Sequence, residues 1–347
     1  MPQLPTPQEL KKFHIRYVDP ESFCFTRVKK GKKFAYLDQD GKEIKDPEVL
    51  ERFDKLRIPP AWEKVMLCDR PEGHLQATGY DAKGRKQYLY HEEWHKLQQQ
   101  TKFNRMIEFG EFLPTLRRKI RSDMNETGLQ KERVLATVVW LLENTLIRVG
   151  NEEYAKENQS YGLTTMRMKH LDFEGNTIHF QFKGKSGVFH DIDVRHKKVA
   201  QTLRKIVELP GYEIFQYLDD EGKRHAVDSQ EVNDYLKAIT GEDITAKDFR
   251  TWGGTVLAAD TLNTIGPFDT KKLAQKNVTQ AVKEVAKHLR NTVAVCRSYY
   301  IHPTVTTTYQ AKVLIPHFIE SYERYTTKEH LPKDEFATWT LLKEYAK

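Results

Sequence analysis

Two adjacent tyrosines, Tyr299 and Tyr300, close a basic stretch at residues 286–303, AKHLRNTVAVCRSYYIHP, which also carries Lys287, His288, Arg290 and Arg297. A tyrosine held among fixed cations can attack a phosphodiester and keep the phosphate as a covalent ester. The cations are needed because a free phenol, with a pKa of about 10, is a poor nucleophile near neutrality. Taken alone, the stretch reads better as a basic helix with packing aromatics, ended before Pro303.

Three further stretches change that balance: Arg148 in LIRVGNEEYA, Lys185 in FKGKSG and Arg250 in KDFRTW. Each has an ordinary reading. An arginine ending a buried helix usually snorkels or pairs, and a lysine between glycines usually sits in a solvated turn. Arg250 is odder, because a cation in the first turns of a helix opposes the helix dipole. Together they supply what transesterification at phosphorus requires. Two arginines offer planar, permanently charged forks for the non-bridging oxygens. A lysine whose pKa is lowered by neighbouring cations can protonate the departing sugar oxygen. No paired carboxylates or metal-ligand set is evident, and no cofactor is expected.

The elements that must position these residues can be read coarsely. The chain has 347 residues, a length that suggests two domains, and 39% hydrophobic with 30% charged residues fits a folded protein with a sizeable core. Basic residues number 56 against 49 acidic, a net charge of +7 compatible with a polyanionic partner. Cys24, Cys68 and Cys296 are far apart and form no C-x-x-C pair, which argues against a disulfide framework or zinc cluster and suits a reducing cytoplasm. The opening MPQLPTPQELKKF lacks the apolar core of a signal peptide, and no apolar run approaches membrane-spanning length. No P-loop signature appears, a weak argument against ATP-driven work.

The first hundred residues read as short strands and turns: FCFTRV, KKFAYLD, a turn at Asp40-Gly41, VMLCD, and HLQATGYDAKGRKQYLYH folded at residues 81–84. A short helix is expected after Asp46-Pro47, and the paired prolines of RIPPAW predict extended chain. On the last strand Lys86, Tyr88 and Tyr90 share one face, and Arg85, Gln87 and Leu89 the other. Cations interleaved with Gln and Tyr suit phosphates and base edges, though an ordinary exposed hairpin fits these residues equally well. The Gln-rich HEEWHKLQQQTKF marks the expected boundary, giving domains at 1–98 and 99–347. Beyond it lie a helix closing at Gly128, an amphipathic helix with Val134, Val138, Leu141, Leu142 and Leu146 on one stripe, and a β unit of TTMRMKHLDF, TIHFQF and VFHDIDV. Helices follow, with caps at Asp228 and Thr245. The fold class is therefore α+β: a small β-rich N-terminal domain and a larger, mainly helical domain with one embedded antiparallel sheet.

RIPPAW, GYDAKGRKQYLY, IRVGNEEYAKEN, FKGKSG, KDFRTW and HLRNTVAVCRSYYIHP, in this order over most of the chain, resemble the type IB DNA topoisomerases, especially their bacterial and poxvirus-like branch. The resemblance implies the tyrosine recombinase/type IB topoisomerase-like catalytic fold. It also implies an isomerase working as a monomer that closes as a clamp around double-stranded DNA, in the cytoplasm with the nucleoid. A tyrosine would form a 3′-phosphotyrosyl link, free a 5′-hydroxyl, let supercoils relax and reseal the strand without ATP, metal or an obligatory protein partner. By resemblance Tyr300 is the nucleophile, Arg148 and Arg250 hold the scissile phosphate, and Lys185 is the general acid. Asn291 stands where poxvirus-type members carry a His, and an amide donates a hydrogen bond without the charge. Gln87, Tyr88 and Tyr90 match major-groove contacts, with Arg85 and Lys86 as phosphate neighbours and Tyr154 as a further DNA contact.

A tyrosine recombinase shares this chemistry, but recombinases show H-x-x-R at the second arginine, where this chain has Lys247. A passive DNA-binding protein would leave the order of the motifs unexplained. One geometric expectation is independent of family. Asn291 and Tyr300 are nine positions apart, half a turn out of phase on a helix of about 3.6 residues per turn. Both can face one phosphate only if the helix breaks at Asn291-Thr292, with Thr292 capping a second short helix. Periodicity does not choose between Tyr299 and Tyr300; the resemblance does.

Overall fold

The computed structural model describes residues 5–326 and 331–346; the first four residues of the segment read above for a signal peptide lie outside them. The chain divides into two compact units, Met1–Lys102 and Phe103–Lys347.

The first unit opens with α1 (Pro7–Lys12), whose cap Thr6 and third-position Glu9 bond each other's backbone N–H. Its sheet contains β1 (Phe25–Lys30), β2 (Lys33–Leu37), β3 (Glu63–Leu67), β4 (Leu75–Tyr80) and β5 (Lys86–Tyr90), antiparallel in the order β2-β1-β3-β4-β5. Between β2 and β3, α2 (Pro47–Lys55) starts at Asp46, whose carboxylate accepts from the N–H groups of Glu48 and Val49. It buries Phe53 against Tyr36, Val65 and Leu67. RIPPAW departs from the expected extended chain. Arg57 is left-handed at φ 48° and Trp62 N–H donates to Pro59 O at 3.1 Å, so the second proline sits inside a turn. Buried Arg27 of β1 holds that turn by donating to the carbonyls of Ile58, Pro59 and Trp62 at 3.1, 3.0 and 2.8 Å. Three carbonyls converge on one side chain, which the proline pattern alone does not reveal.

A second departure concerns the Gln-rich stretch. The helix expected beyond it already runs through it: α3 covers Glu92–Asp123, and the division between units falls inside this helix. Gln and Lys are good helix formers, so polarity there marks a solvated helix rather than a loop.

In the second unit α3 buries Met106, Phe109, Leu113, Leu116 and Ile120 at helical spacing. α4 (Lys131–Thr145) buries Val134, Val138, Leu141 and Leu142, and a short α5 (Glu152–Asn158) follows. Arg117 of α3 bonds Glu143 of α4 at 2.6 Å and Glu335, near the C-terminus, at 2.8 and 2.9 Å. Next comes the sheet β6 (Leu171–Glu174), β7 (Thr177–Lys183) and β8 (Phe189–Arg195), antiparallel in that order. The TTMRMKH portion forms short 3-10 turns instead of strand, so β6 begins only at Leu171. After α6 (Lys197–Val207) a second hairpin, β9 (Gln216–Leu218) with β10 (Arg224–Ala226), stands where only helices were expected. Three-residue strands carry too little alternation to be read.

The remaining elements are α7 (Ser229–Thr240), α8 (Ala246–Ile265), α9 (Lys271–Leu289), α10 (Val293–Tyr299), α11 (Pro303–Gln310), α12 (Leu314–Arg324) and α13 (Lys333–Tyr345). One core joins α3, α4, α6, α7 and the β6–β8 sheet; a second gathers residues of α8 through α13. The protein is thus mixed helix and sheet, with a small N-terminal sheet unit and a helical core. Among the described residues no helix is long and apolar enough to cross a membrane, and no group of three or more His, Cys, Asp or Glu could hold a metal.

Candidate active site

Arg250 lies on α8 and is only 4% exposed. Its guanidinium leaves its own helix and donates to two backbone carbonyls: Leu146, just past the end of α4, and Leu289, the last residue of α9, the latter at 3.0 Å. The negative ends of two helix dipoles therefore meet one cation, which answers the dipole objection raised by its place on α8. The Tyr300 ring lies 5.2 Å from the Arg250 guanidinium carbon. Burial, then the Arg148 charge, pulls Arg250 below the usual arginine range, while Tyr300 opposes that through charge and a side-chain hydrogen bond.

Arg148 reaches the same place by another route. α4 ends in left-handed Leu146 (φ 52°), which turns the chain back over the core. The Arg148 carbonyl accepts from Leu163 N–H at 2.9 Å, and that of Val149 accepts from Thr164 N–H at 2.7 Å. Gly162 makes this approach possible, because a Cβ there would sit 2.6 Å from the Arg148 oxygen. The Arg148 charge acts on Arg250, on buried Cys296 of α10 and on His190 of β8.

The break expected between Asn291 and Tyr300 is present. α9 stops at left-handed Arg290 (φ 48°), and Thr292 caps α10 by accepting from Val295 N–H at 3.2 Å. Asn291 N–H donates to Ala286 O, and its Oδ1 accepts from Thr292 N–H, both at 2.9 Å. The side-chain oxygen is thus engaged locally and the NH2 is the end with hydrogen-bonding capacity to offer. At the far end Tyr300 packs half-buried against the second core, whereas Tyr299 is 43% exposed. Tyr300 is thus a tyrosine that packs beside the buried arginine.

Several residues that sequence reading passed over build this arrangement. Gly253 and Gly254 form an adjacent pair in the middle of α8. A Cβ at Gly253 would meet Leu146 Cδ1 at 2.7 Å, and one at Gly254 would meet the Tyr300 carbonyl oxygen at 2.5 Å. Fully buried Thr255 donates to Thr251 O at 2.7 Å, lies 3.4 Å from Tyr300 O and accepts from His302 N–H at 3.1 Å. His302 caps α11 through Nδ1, and burial pushes it down to about pKa 4, so it stays neutral. The adjacent glycines inside a helical pattern were the one signal available for this contact surface.

Lys185 occupies the exposed turn between β7 and β8. The hairpin that carries it is tied to both neighbouring segments: Tyr161 N–H donates to Lys183 O at 2.8 Å, and the Arg290 side chain donates to Asp191 O. Lys247 is exposed in the first turn of α8. Tyr154 is half-buried on α5, its N–H bonded to the Asn151 cap at 2.8 Å.

The sequence-derived DNA contacts of the first unit lie on or beside the edge strand β5. Lys86 stands 5.7 Å from the ring of Tyr88, which is 46% exposed and stacks on Tyr90 at 6.2 Å. Tyr90 in turn stacks on Trp94 at 6.2 Å. On the other side Arg85 pairs with Asp81 at 2.7 Å, and Gln87 Nε2 donates to the same carboxylate at 3.0 Å. Asp81 therefore orients both side chains, and in doing so offsets the positive charge of Arg85.

Residues 91–322 match the family model for the catalytic core of eukaryotic DNA topoisomerase I, and residues 33–81 match that for the N-terminal domain of bacterial DNA topoisomerase IB. The chain is 34% identical to a DNA topoisomerase 1B of Acanthamoeba polyphaga mimivirus, over 79% of this chain and 84% of that protein. It is 25% identical to a DNA topoisomerase 1 of rabbit fibroma virus, over 78% of this chain and 88% of the relative. For a DNA topoisomerase 1B of vaccinia virus the identity is 23%, covering 70% of this chain and 73% of the relative.

Proposed function

Because the chain belongs to the type IB DNA topoisomerase family, whose members are isomerases acting on DNA, we propose that it relaxes supercoiled duplex DNA through a transient 3′-phosphotyrosyl bond at Tyr300. The observation that carries this reading is the Tyr300 ring 5.2 Å from an arginine clamped by two helix ends. A fixed, water-poor cation stabilises developing phenolate and phosphorane charge without reorganising during the reaction.

In the proposed step Tyr300 gives its phenol proton to water, and the phenolate Oη bonds to phosphorus in line with the departing 5′-oxygen. Arg148 and Arg250 hold the non-bridging oxygens, and Asn291 donates a neutral hydrogen bond to one of them. Lys185 transfers its Nζ proton to the 5′-oxygen as the P–O bond breaks. Rotation of the freed end then releases supercoils. For religation the 5′-hydroxyl returns its proton to Lys185, attacks phosphorus and expels Tyr300 as a phenolate, which regains its proton from water. Each exchange replaces one phosphoester by another, so bond energy is conserved and no nucleotide is consumed. Arg85, Lys86, Gln87, Tyr88 and Tyr90 would contact the duplex from the N-terminal domain, residues 1–98, and Tyr154 from the catalytic domain, residues 99–347.

A duplex whose short downstream fragment, the one bearing the new 5′-hydroxyl, is lost on cleavage traps the covalent intermediate. Peptide mapping of the adduct should find the nucleotide on Tyr300, with a 3′ linkage. Tyr300→Phe should give no adduct, and Tyr299→Phe should retain it. An adduct on Tyr299, or a 5′ linkage, would overturn the assignment.

A further inference from the structure

The turn that carries Lys185 rests on a buried imidazole. In the β7–β8 ladder Phe182 stands opposite His190, both on the inward face, and Gly184 follows two residues after Phe182 on that face. The His190 ring stacks on Phe182 with centroids 4.6 Å apart and planes 16° from parallel. A Cβ at Gly184 would lie 2.5 Å from His190 Nε2 and 2.8 Å from Cδ2, so only a bare α-carbon fits against the ring. From that support the turn closes on itself. Gly184 N–H donates to Val188 O at 2.8 Å, and Gly187 N–H to Gly184 O at 3.0 Å. Ser186 and Gly187 both take positive φ, 63° and 73°.

His190 is 4% exposed, and neither of its ring nitrogens has a hydrogen-bond partner. Burial first, then the charges of Arg290, Arg148 and Arg250, hold it down at about pKa 4, so it is neutral at physiological pH. A buried polar ring without partners is a costly way to fill space, and a leucine or phenylalanine would fill it without that cost. What the imidazole supplies is shape: a flat five-membered ring thin enough to lie between Phe182 and the Gly184 backbone, adding no charge beside three arginines.

We propose that His190 is a positioning residue for Lys185, its ring setting the height and direction from which the turn presents the lysine to the departing 5′-oxygen. The inference rests on the reading of Lys185 as general acid. His190 itself exchanges no proton: the proton passes from Lys185 Nζ to the 5′-oxygen as the O–P bond breaks and the Tyr300 Oη–P bond forms.

The test is single-turnover cleavage of two duplexes, one ordinary and one with sulfur in place of the 5′-bridging oxygen at the scissile phosphate. A thiolate is a far weaker base than an alkoxide and leaves without a proton, so sulfur relieves only defects in leaving-group protonation. Lys185→Ala should slow the oxygen substrate by about 10²–10⁴-fold, the usual worth of general acid catalysis, and cleave the sulfur substrate near the wild-type rate. His190→Ala should slow the oxygen substrate by about tenfold or more, part of that same contribution, and return to within about threefold of wild type on sulfur. Gly184→Ala, which presses a methyl on the ring from the other side, should show the same pattern and carries the test if His190→Ala does not fold. A His190 variant equally slow on both substrates, or not slowed at all, would overturn the inference while leaving Lys185 in its role. If Lys185→Ala is itself not relieved by sulfur, the general-acid reading fails, and the inference with it.

Discussion

At Arg250 one guanidinium both closes the fold and faces the tyrosine. Its bonds to the Leu146 and Leu289 carbonyls are charge-assisted and buried, and losing it leaves both acceptors without that partner. Arg250→Ala should therefore abolish cleavage and also lower unfolding stability by about 3 kcal/mol, measured by urea titration. Arg250→Lys keeps the charge but cannot fork to both carbonyls, so it should recover only part of either loss. An Arg250→Ala protein with wild-type stability would show that the two carbonyls do not depend on it. This double duty was not legible in KDFRTW, because both acceptors come from segments far off in the sequence. Only the oddness of a cation early in a helix hinted at it.

At the scale of elements, α8 is the platform on which the segments bearing Arg148 and Tyr300 meet. Two glycines in mid-helix cost roughly 1 kcal/mol each relative to alanine by propensity alone. Propensity would thus make Gly254→Ala stabilising. Packing decides the other way, since the added methyl would sit 2.5 Å from the Tyr300 carbonyl oxygen, a backbone atom fixed by the start of α11. Gly254→Ala should move the end of α10 away from Arg250 and slow cleavage at least tenfold, on the order of 1.4 kcal/mol in the barrier. Faster or unchanged cleavage, together with a higher melting temperature, would mean that the close approach is dispensable. The break before α10, by contrast, was legible, because a phase argument needs only residue spacing. The turn at Pro59–Trp62 was not, because it depends on Arg27 arriving from another strand.

At the scale of the whole molecule, the two units and the α+β class follow from patterns visible along the chain: short alternating strands first, then apolar stripes at helical spacing. That the helix already begins at residue 92 was not legible because a solvated helix and a polar loop share a composition, nor was β9–β10 because short strands carry little pattern. The motif residues Arg148, Lys185, Arg250 and Tyr300 were legible as types able to work on phosphate. His190, Gly184 and Gly254 were not, since their roles consist of contacts across the fold. A net charge of +7 makes a polyanion an electrostatically favourable partner without specifying which one. The central claim is that Tyr300 transiently breaks one strand of duplex DNA and reseals it using only the energy of its own ester. The most direct measurement is the linking-number distribution of a supercoiled plasmid incubated with the purified protein, with EDTA present and ATP absent, across a range of salt. The account predicts relaxation through topoisomers differing by single steps for the wild type and for Tyr299→Phe, and none for Tyr300→Phe. An unchanged linking number with the wild-type protein at every salt concentration, or relaxation that survives Tyr300→Phe, would contradict it.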